Sequence, residues 1–130
     1  MALESEDGCW VIVSNDLCYT TGAAVQAIRT AVAQRTGIPG DHLLVANTHT
    51  HAGPHDADAD NWSRPLAELI ADAVETAYQS RQPARIGSGS GVLYGYSINR
   101  RWLDRPIDPG VVVLRVDDEQ GNLLGLLTNF

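Results

Sequence analysis

Two histidines separated by one residue, His49 and His51, are the sharpest chemical signal in the chain. They sit in the string Thr48-His49-Thr50-His51-Ala52-Gly53-Pro54, and His55, Asp56, Asp58 and Asp60 follow at once. Imidazole is a common metal ligand and titrates near neutrality, so two rings presented together suit a metal or a proton transfer. Residues two apart in an extended segment project to one side, which would aim both rings at one point. The plainer reading is a pair of loop histidines bonded to backbone. The alternating Asp-Ala string reads as a solvated surface, because it lacks the glycine and closing glutamate of an EF-hand loop.

Other candidates are weaker. Asn99-Arg100-Arg101 follows Tyr94 and Tyr96; an arginine there is either surface charge or a group that stabilises negative charge in a site. Gly87-Ser88-Gly89-Ser90-Gly91 is not a phosphate loop, since no Gly-Lys-Ser/Thr follows and the next residues read as strand. Its alternating glycines suit a close approach by another backbone or a substrate. No serine lies in G-x-S-x-G, so a serine hydrolase is unsupported. Cys9 and Cys18 flank an extended stretch of about 25–30 Å, too far for a disulfide, and read as free structural thiols.

The elements that must position these groups follow from apolar patterning. Trp10 to Val13 is a buried strand ending in Ser14-Asn15-Asp16. Thr20 or Thr21 caps a helix whose stripe is Ala24, Val25, Ile28, Ala31 and Val32, with Gly37 and Pro39 as the stop. Leu43 to Ala46 is a second buried strand running into the histidines. Strand, helix, strand at this spacing is a βαβ unit with parallel strands and a right-handed crossover. Ligands bind beyond the carboxyl ends of such strands, so Asp16 and His49 are expected on one crevice. A second helix spans about Arg64 to Gln79, capped by Asn61 or Ser63. Val92 to Tyr96, Val111 to Val116 and Asn122 to Phe130 then read as strands, the last two a hairpin across Asp117–Gly121. The predicted fold is α/β, with α+β as the variant: a βαβα unit, then antiparallel strands, in a mixed sheet with helices packed on it.

Composition narrows the partners. The 130 residues carry a formal net charge of −7, and all nine basic residues are Arg. Nucleic acid is excluded as an expected partner, because phosphate binding needs a basic face. No stretch is long and apolar enough to span a membrane, and Met1 to Gly8 does not read as a secretory signal. A length of 130 residues suits one domain.

From about Trp10 to Phe130 the sequence resembles the neutral/alkaline (non-lysosomal) ceramidases. Val11 to Asp16, the string Leu43 to Pro54 with its T-H-T-H-[SA]-G-P core, the pair Asn99-Arg100, and Asp108-Pro109-Gly110-Val111 through Thr128-Asn129-Phe130 carry the likeness. The resemblance implies a zinc amidase that splits the N-acyl bond of ceramide into fatty acid and sphingosine. It implies one Zn2+ held by two histidines, a glutamate and a tyrosine. In that scheme His49 is the first metal ligand. His51 is a catalytic neighbour that meets substrate or intermediate. Arg100 lines the same pocket, and Asp16 and Asn99 face substrate. The second zinc histidine is expected just beyond Phe130 and the other ligands later still. The chain then reads as an incomplete segment of a larger catalytic domain, inactive and weakly zinc-binding alone. Its partner would be a ceramide-like lipid amide of sphingolipid metabolism, with any membrane contact peripheral and made by the full-length protein. Two readings stand beside this one: another H-x-H metallohydrolase, and a non-catalytic structural or oligomerising domain with structural histidines.

Overall fold

Alternation decides how the first sheet packs. In the computed structural model, which describes residues 1–55 and 63–130, strand β2 (Gly8–Asn15) sits between β1 (Ala2–Ser5) and β3 (Leu43–Asn47). β2 and β3 run parallel, pairing Val11 with Leu43, Val13 with Val45 and Asn15 with Asn47, while β1 is antiparallel to β2. Val11 and Leu43 are almost wholly buried, whereas their neighbours Trp10 and Leu44 are 49% and 59% exposed. Successive side chains of a strand point to opposite faces, so among the described residues only one face of this sheet is covered. The expectation of buried strands at Trp10 to Val13 and Leu43 to Ala46 therefore does not hold for every residue: Trp10 and Leu44 are exposed. Trp10 instead stacks on His42, with ring centroids 3.9 Å apart, and His42 donates from Nδ1 to the Cys9 carbonyl at 3.1 Å.

The covered face carries two helices. Helix α1 (Gly22–Thr36) connects β2 to β3; Thr21 Oγ1 caps it by accepting from Ala24 N–H, and Gly37 ends it in the left-handed conformation at φ 74°. Helix α2 (Leu66–Gln79) packs against α1. Its N-cap position is Pro65, which offers no side-chain oxygen. Ser63 is therefore not the cap, and Asn61 lies outside the described residues, as do Asp56, Asp58 and Asp60. Ile28 and Val32 from α1, Ile70, Ala71 and Val74 from α2, and Val11 and Leu43 from the sheet form one core. Outside that core, Arg35 near the end of α1 pairs with Glu68 and Asp72 of α2, and Asp72 also pairs with Arg64.

The chain divides into two compact units, Met1–Arg81 and Gln82–Phe130. The second is an antiparallel meander of β4 (Ala84–Val92), β5 (Gly110–Asp118) and β6 (Leu123–Asn129). The glycine-rich run thus lies inside β4, paired residue for residue with β5. Tyr94 and Tyr96 fall beyond its end. Nothing stands within 4 Å of where a Cβ of Gly87, Gly89 or Gly91 would project; no backbone among the described residues uses that bare face. Asp118 closes the β5–β6 turn by accepting from the backbone and side-chain nitrogens of Asn122, with Gly121 at φ 90°. The α/β content agrees with the sequence expectation and the elements from β2 onward follow the expected order, but β1 is added and the strands form two three-stranded sheets, the first mixed and the second antiparallel, in place of one mixed sheet.

Candidate metal centre

The site is built where β2 and β3 end side by side. Pairing continues one step past the strands, as Thr48 N–H donates to the Asn15 carbonyl at 2.9 Å. Thr20 Oγ1 donates to Asn47 Oδ1 at 2.8 Å, tying the loop after β2 to the end of β3. Gly53 then folds back on that loop: a Cβ there would meet the Asp16 carbonyl oxygen at 2.4 Å. No side chain larger than hydrogen fits without displacement, which is the reason for glycine at this position.

The two histidines come together by a bend rather than by extension. β3 stops at Asn47, and His49 takes φ 59°, the one non-glycine residue at positive φ among those described. Such a conformation is costly for a residue with a Cβ and concentrates at functional positions. The bend places His49 Nε2 and His51 Nε2 3.4 Å apart, with the rings edge-to-face. Two nitrogens held at about 2.0–2.1 Å by one tetrahedral ion stand about 3.4 Å apart, so the pair already has the required bite.

The other ring nitrogen is spoken for. His49 Nδ1 donates to the Cys18 carbonyl at 2.7 Å. A hydrogen bond of this kind leaves the Nε2 lone pair for a ligand and fixes the ring's orientation. Cys18 Sγ also approaches His49 Nδ1, at 3.7 Å. One ligand atom each from Cys18, His49 and His51 lies within 4.8 Å of the others. Both histidines are exposed and Cys18 is half-buried, so the donors are open to solvent. His55 packs against Tyr19 instead, with ring centroids 6.0 Å apart.

From sequence Cys18 reads as a free structural thiol, because no second cysteine stands at a metal-ligand spacing from it. A signal of its place beside His49 was present: it lies two residues past Asp16, at the carboxyl end of a strand paired in parallel with the one leading to His49. Asp16 is exposed at the same strand ends. It also borders an apolar groove of about 470 Å³ lined by Ile12, Leu17, Leu66, Leu69 and Ala73. Nearby, the Asn15 side-chain nitrogen is buried with no hydrogen-bond partner among the described residues.

Asn99 and Arg100 belong to the second unit, on the long loop between β4 and β5. Asn99 Oδ1 accepts from the backbone of Arg101 and Trp102 at 3.2 and 3.1 Å, which folds the loop into a tight turn. Asn99 lines a groove of about 350 Å³ with Tyr94, Ile98, Leu103 and Arg105. Arg100 is exposed beside it.

No family model matches the chain. Neutral ceramidase A of Dictyostelium discoideum is 26% identical over 160 residues, spanning 98% of this chain and 22% of that protein. A ceramidase structure complexed with C2 superposes with a TM-score of 0.75 at 25% identity, over 98% of this chain and 24% of the other. This chain resembles one segment of the neutral ceramidases. The crystal structure of neutral ceramidase from Pseudomonas aeruginosa shares the fold as well, with a TM-score of 0.69 at 24% identity. The ceramidase likeness covers both units, and the chain spans about a quarter of the length of these relatives.

Proposed function

We propose that the chain is part of a zinc-dependent amidase that hydrolyses the N-acyl linkage of ceramide-like sphingolipids to fatty acid and sphingoid base. The remaining zinc ligands, on this reading, lie outside these 130 residues. The observation that carries it is the 3.4 Å separation of His49 Nε2 and His51 Nε2, at the strand ends of a chain similar to ceramidases over 98% of its length.

When bound, zinc supplies a Lewis acid that polarises an amide carbonyl and lowers the pKa of water. His49 would hold the metal through Nε2, its ring set by the Cys18 carbonyl. His51 lies beside it and serves proton transfer or a hydrogen bond to the developing oxyanion. In the scheme that the ceramidase resemblance implies, Arg100 would supply a fixed positive charge. In that scheme Asp16 and Asn99 would each be substrate-binding residues. The apolar groove beside Asp16 has the chemistry of an acyl chain.

Incubation of the full-length protein with N-acylsphingosine tests the substrate. Equal release of fatty acid and sphingosine is expected. Turnover of other amides or esters with no release from N-acylsphingosine would overturn the assignment.

A further inference from the structure

We propose that the loop between β4 and β5 docks on a lipid bilayer, with Tyr96, Trp102 and Leu103 entering the interface and Arg101 and Arg105 meeting anionic headgroups. The proposal stands on this loop alone and does not need the amidase reading. Where that reading also holds, the segment that meets the bilayer is the one that carries Asn99 and Arg100.

The apolar side chains of this loop are held out to solvent. Leu103, Tyr96, Ile98 and Tyr94 are 81%, 77%, 76% and 69% exposed, the four highest values for large hydrophobics among the described residues, and Trp102 is 62% exposed. Single exposed hydrophobics are ordinary, but a group of them marks an interaction surface. Tyr94, Ile98 and Leu103 form such a group, since they line one groove. Hydrogen bonds fix the loop in this form. Leu93 N–H donates to the Pro109 carbonyl at 2.8 Å and closes its base. Asn99 Oδ1 accepts from the N–H groups of Arg101 and Trp102, and Arg105 N–H donates to the Trp102 carbonyl at 2.9 Å. Trp102 is therefore shared by two successive turns, and Leu103 follows it in the second.

The charges select the partner. Between Tyr94 and Asp108 stand Arg100, Arg101 and Arg105 against Asp104 and Asp108, so the loop is locally cationic in a chain of net charge −7. Arg35, Arg64, Arg81 and Arg115 are each paired with a carboxylate, whereas Arg100, Arg101 and Arg105 have no such pairing among the described residues. Asp108 is turned to the loop base, where its Oδ1 accepts from Gly110 N–H at 2.8 Å. A guanidinium is weakly hydrated and its forked donors match a phosphate. Tryptophan and tyrosine favour the boundary between headgroups and acyl chains, where the ring body is apolar and the polar edge stays wet. Nucleic acid also presents phosphates, but the net charge of the chain opposes it and it offers no acyl region for Leu103 and Ile98.

Flotation of the full-length protein with vesicles tests this. Binding is expected to phosphatidylcholine vesicles that contain phosphatidylserine, with weaker binding to phosphatidylcholine alone. Arg101→Gln should weaken binding to the anionic vesicles about 5-fold, the usual worth of one arginine near such a surface. Trp102→Ala should weaken binding to both kinds of vesicle more than about 10-fold, because it removes the largest apolar side chain of the loop. Neither variant should change the melting temperature, since both side chains are exposed. Binding is read without turnover, so its loss would leave the amidase assignment standing, and failure to hydrolyse N-acylsphingosine would leave the docking standing. No binding to either vesicle, or binding that neither variant alters, would overturn the proposal. A lower melting temperature for Trp102→Ala would also overturn it, because protein rather than lipid would then cover the loop. Equal binding to the two kinds of vesicle would overturn the role of the arginines.

Discussion

The backbone carbonyl of Cys18 accepts a hydrogen bond from Nδ1 of His49 at 2.7 Å. This bond joins the loop after β2 to the loop after β3, and it decides which nitrogen of His49 is free. A carbonyl can only accept, so the proton is on Nδ1 and the lone pair on Nε2, the atom 3.4 Å from His51. Nitrogen-15 NMR of the metal-free chain should find neutral His49 as the Nδ1–H tautomer. Finding Nε2–H would contradict the orientation of the site.

Gly53 is fixed by its approach to the Asp16 carbonyl, where a Cβ would stand at 2.4 Å. Gly53→Ala should therefore push the histidine loop away from the β2 loop. Overpacking of this kind costs about 1–3 kcal/mol. Thermal denaturation should show that loss together with weakened metal binding. Unchanged stability and unchanged metal affinity would show that the loop yields freely.

The core and the open sheet face should respond very differently to truncation. Ile28 is fully buried between the helices and the sheet, and Ile28→Ala should cost about 2–5 kcal/mol. Leu44 is 59% exposed, and Leu44→Ala should stay within about 0.5 kcal/mol of wild type. Denaturant unfolding of both variants measures the contrast. Comparable losses would place a cover over the face that bears Leu44.

Acid should loosen the contact between α1 and α2. Hydrogen bonds from the guanidinium groups of Arg64 and Arg35 hold the Asp72 carboxyl below its usual range. A group with a depressed folded pKa stabilises the fold above its unfolded value, about 3.9, and that contribution is lost as pH falls through the folded value. Unfolding followed by circular dichroism below about pH 4 should be shallower for Asp72→Asn than for wild type. Identical acid limbs would show that these surface pairs carry no stability.

The first unit was largely legible in the sequence because its signals are local. The stripe from Ala24 to Val32, the Thr21 cap and the Gly37 stop give α1 directly, and the apolar runs give β2 and β3. Their parallel pairing follows from the helix between them. β1 was not legible: Ala2–Ser5 is short and half polar, and it exists because an edge of β2 is there to pair with. The reach of β4 through the glycine run was hidden for a similar reason, since β5 supplies the ladder that glycine propensity opposes. His49 and His51 were visible as a pair, but by the wrong geometry. Extension was expected; a left-handed bend at His49 brings the rings together instead. Cys18 stands 31 residues from His49, so its place beside that ring follows only from the parallel register of Asn15 with Asn47.

The most direct test of the proposed zinc amidase is hydrolysis of N-acylsphingosine by the full-length protein, before and after metal removal, in wild type and His49→Ala. Chelation should abolish fatty-acid release, and added zinc should restore it to the wild type. His49→Ala should lose more than about 100-fold, since even outer-shell partners of a metal cost up to that factor, and zinc should not rescue it. Undiminished hydrolysis by the metal-free protein or by His49→Ala would contradict the assignment of His49 as the zinc ligand.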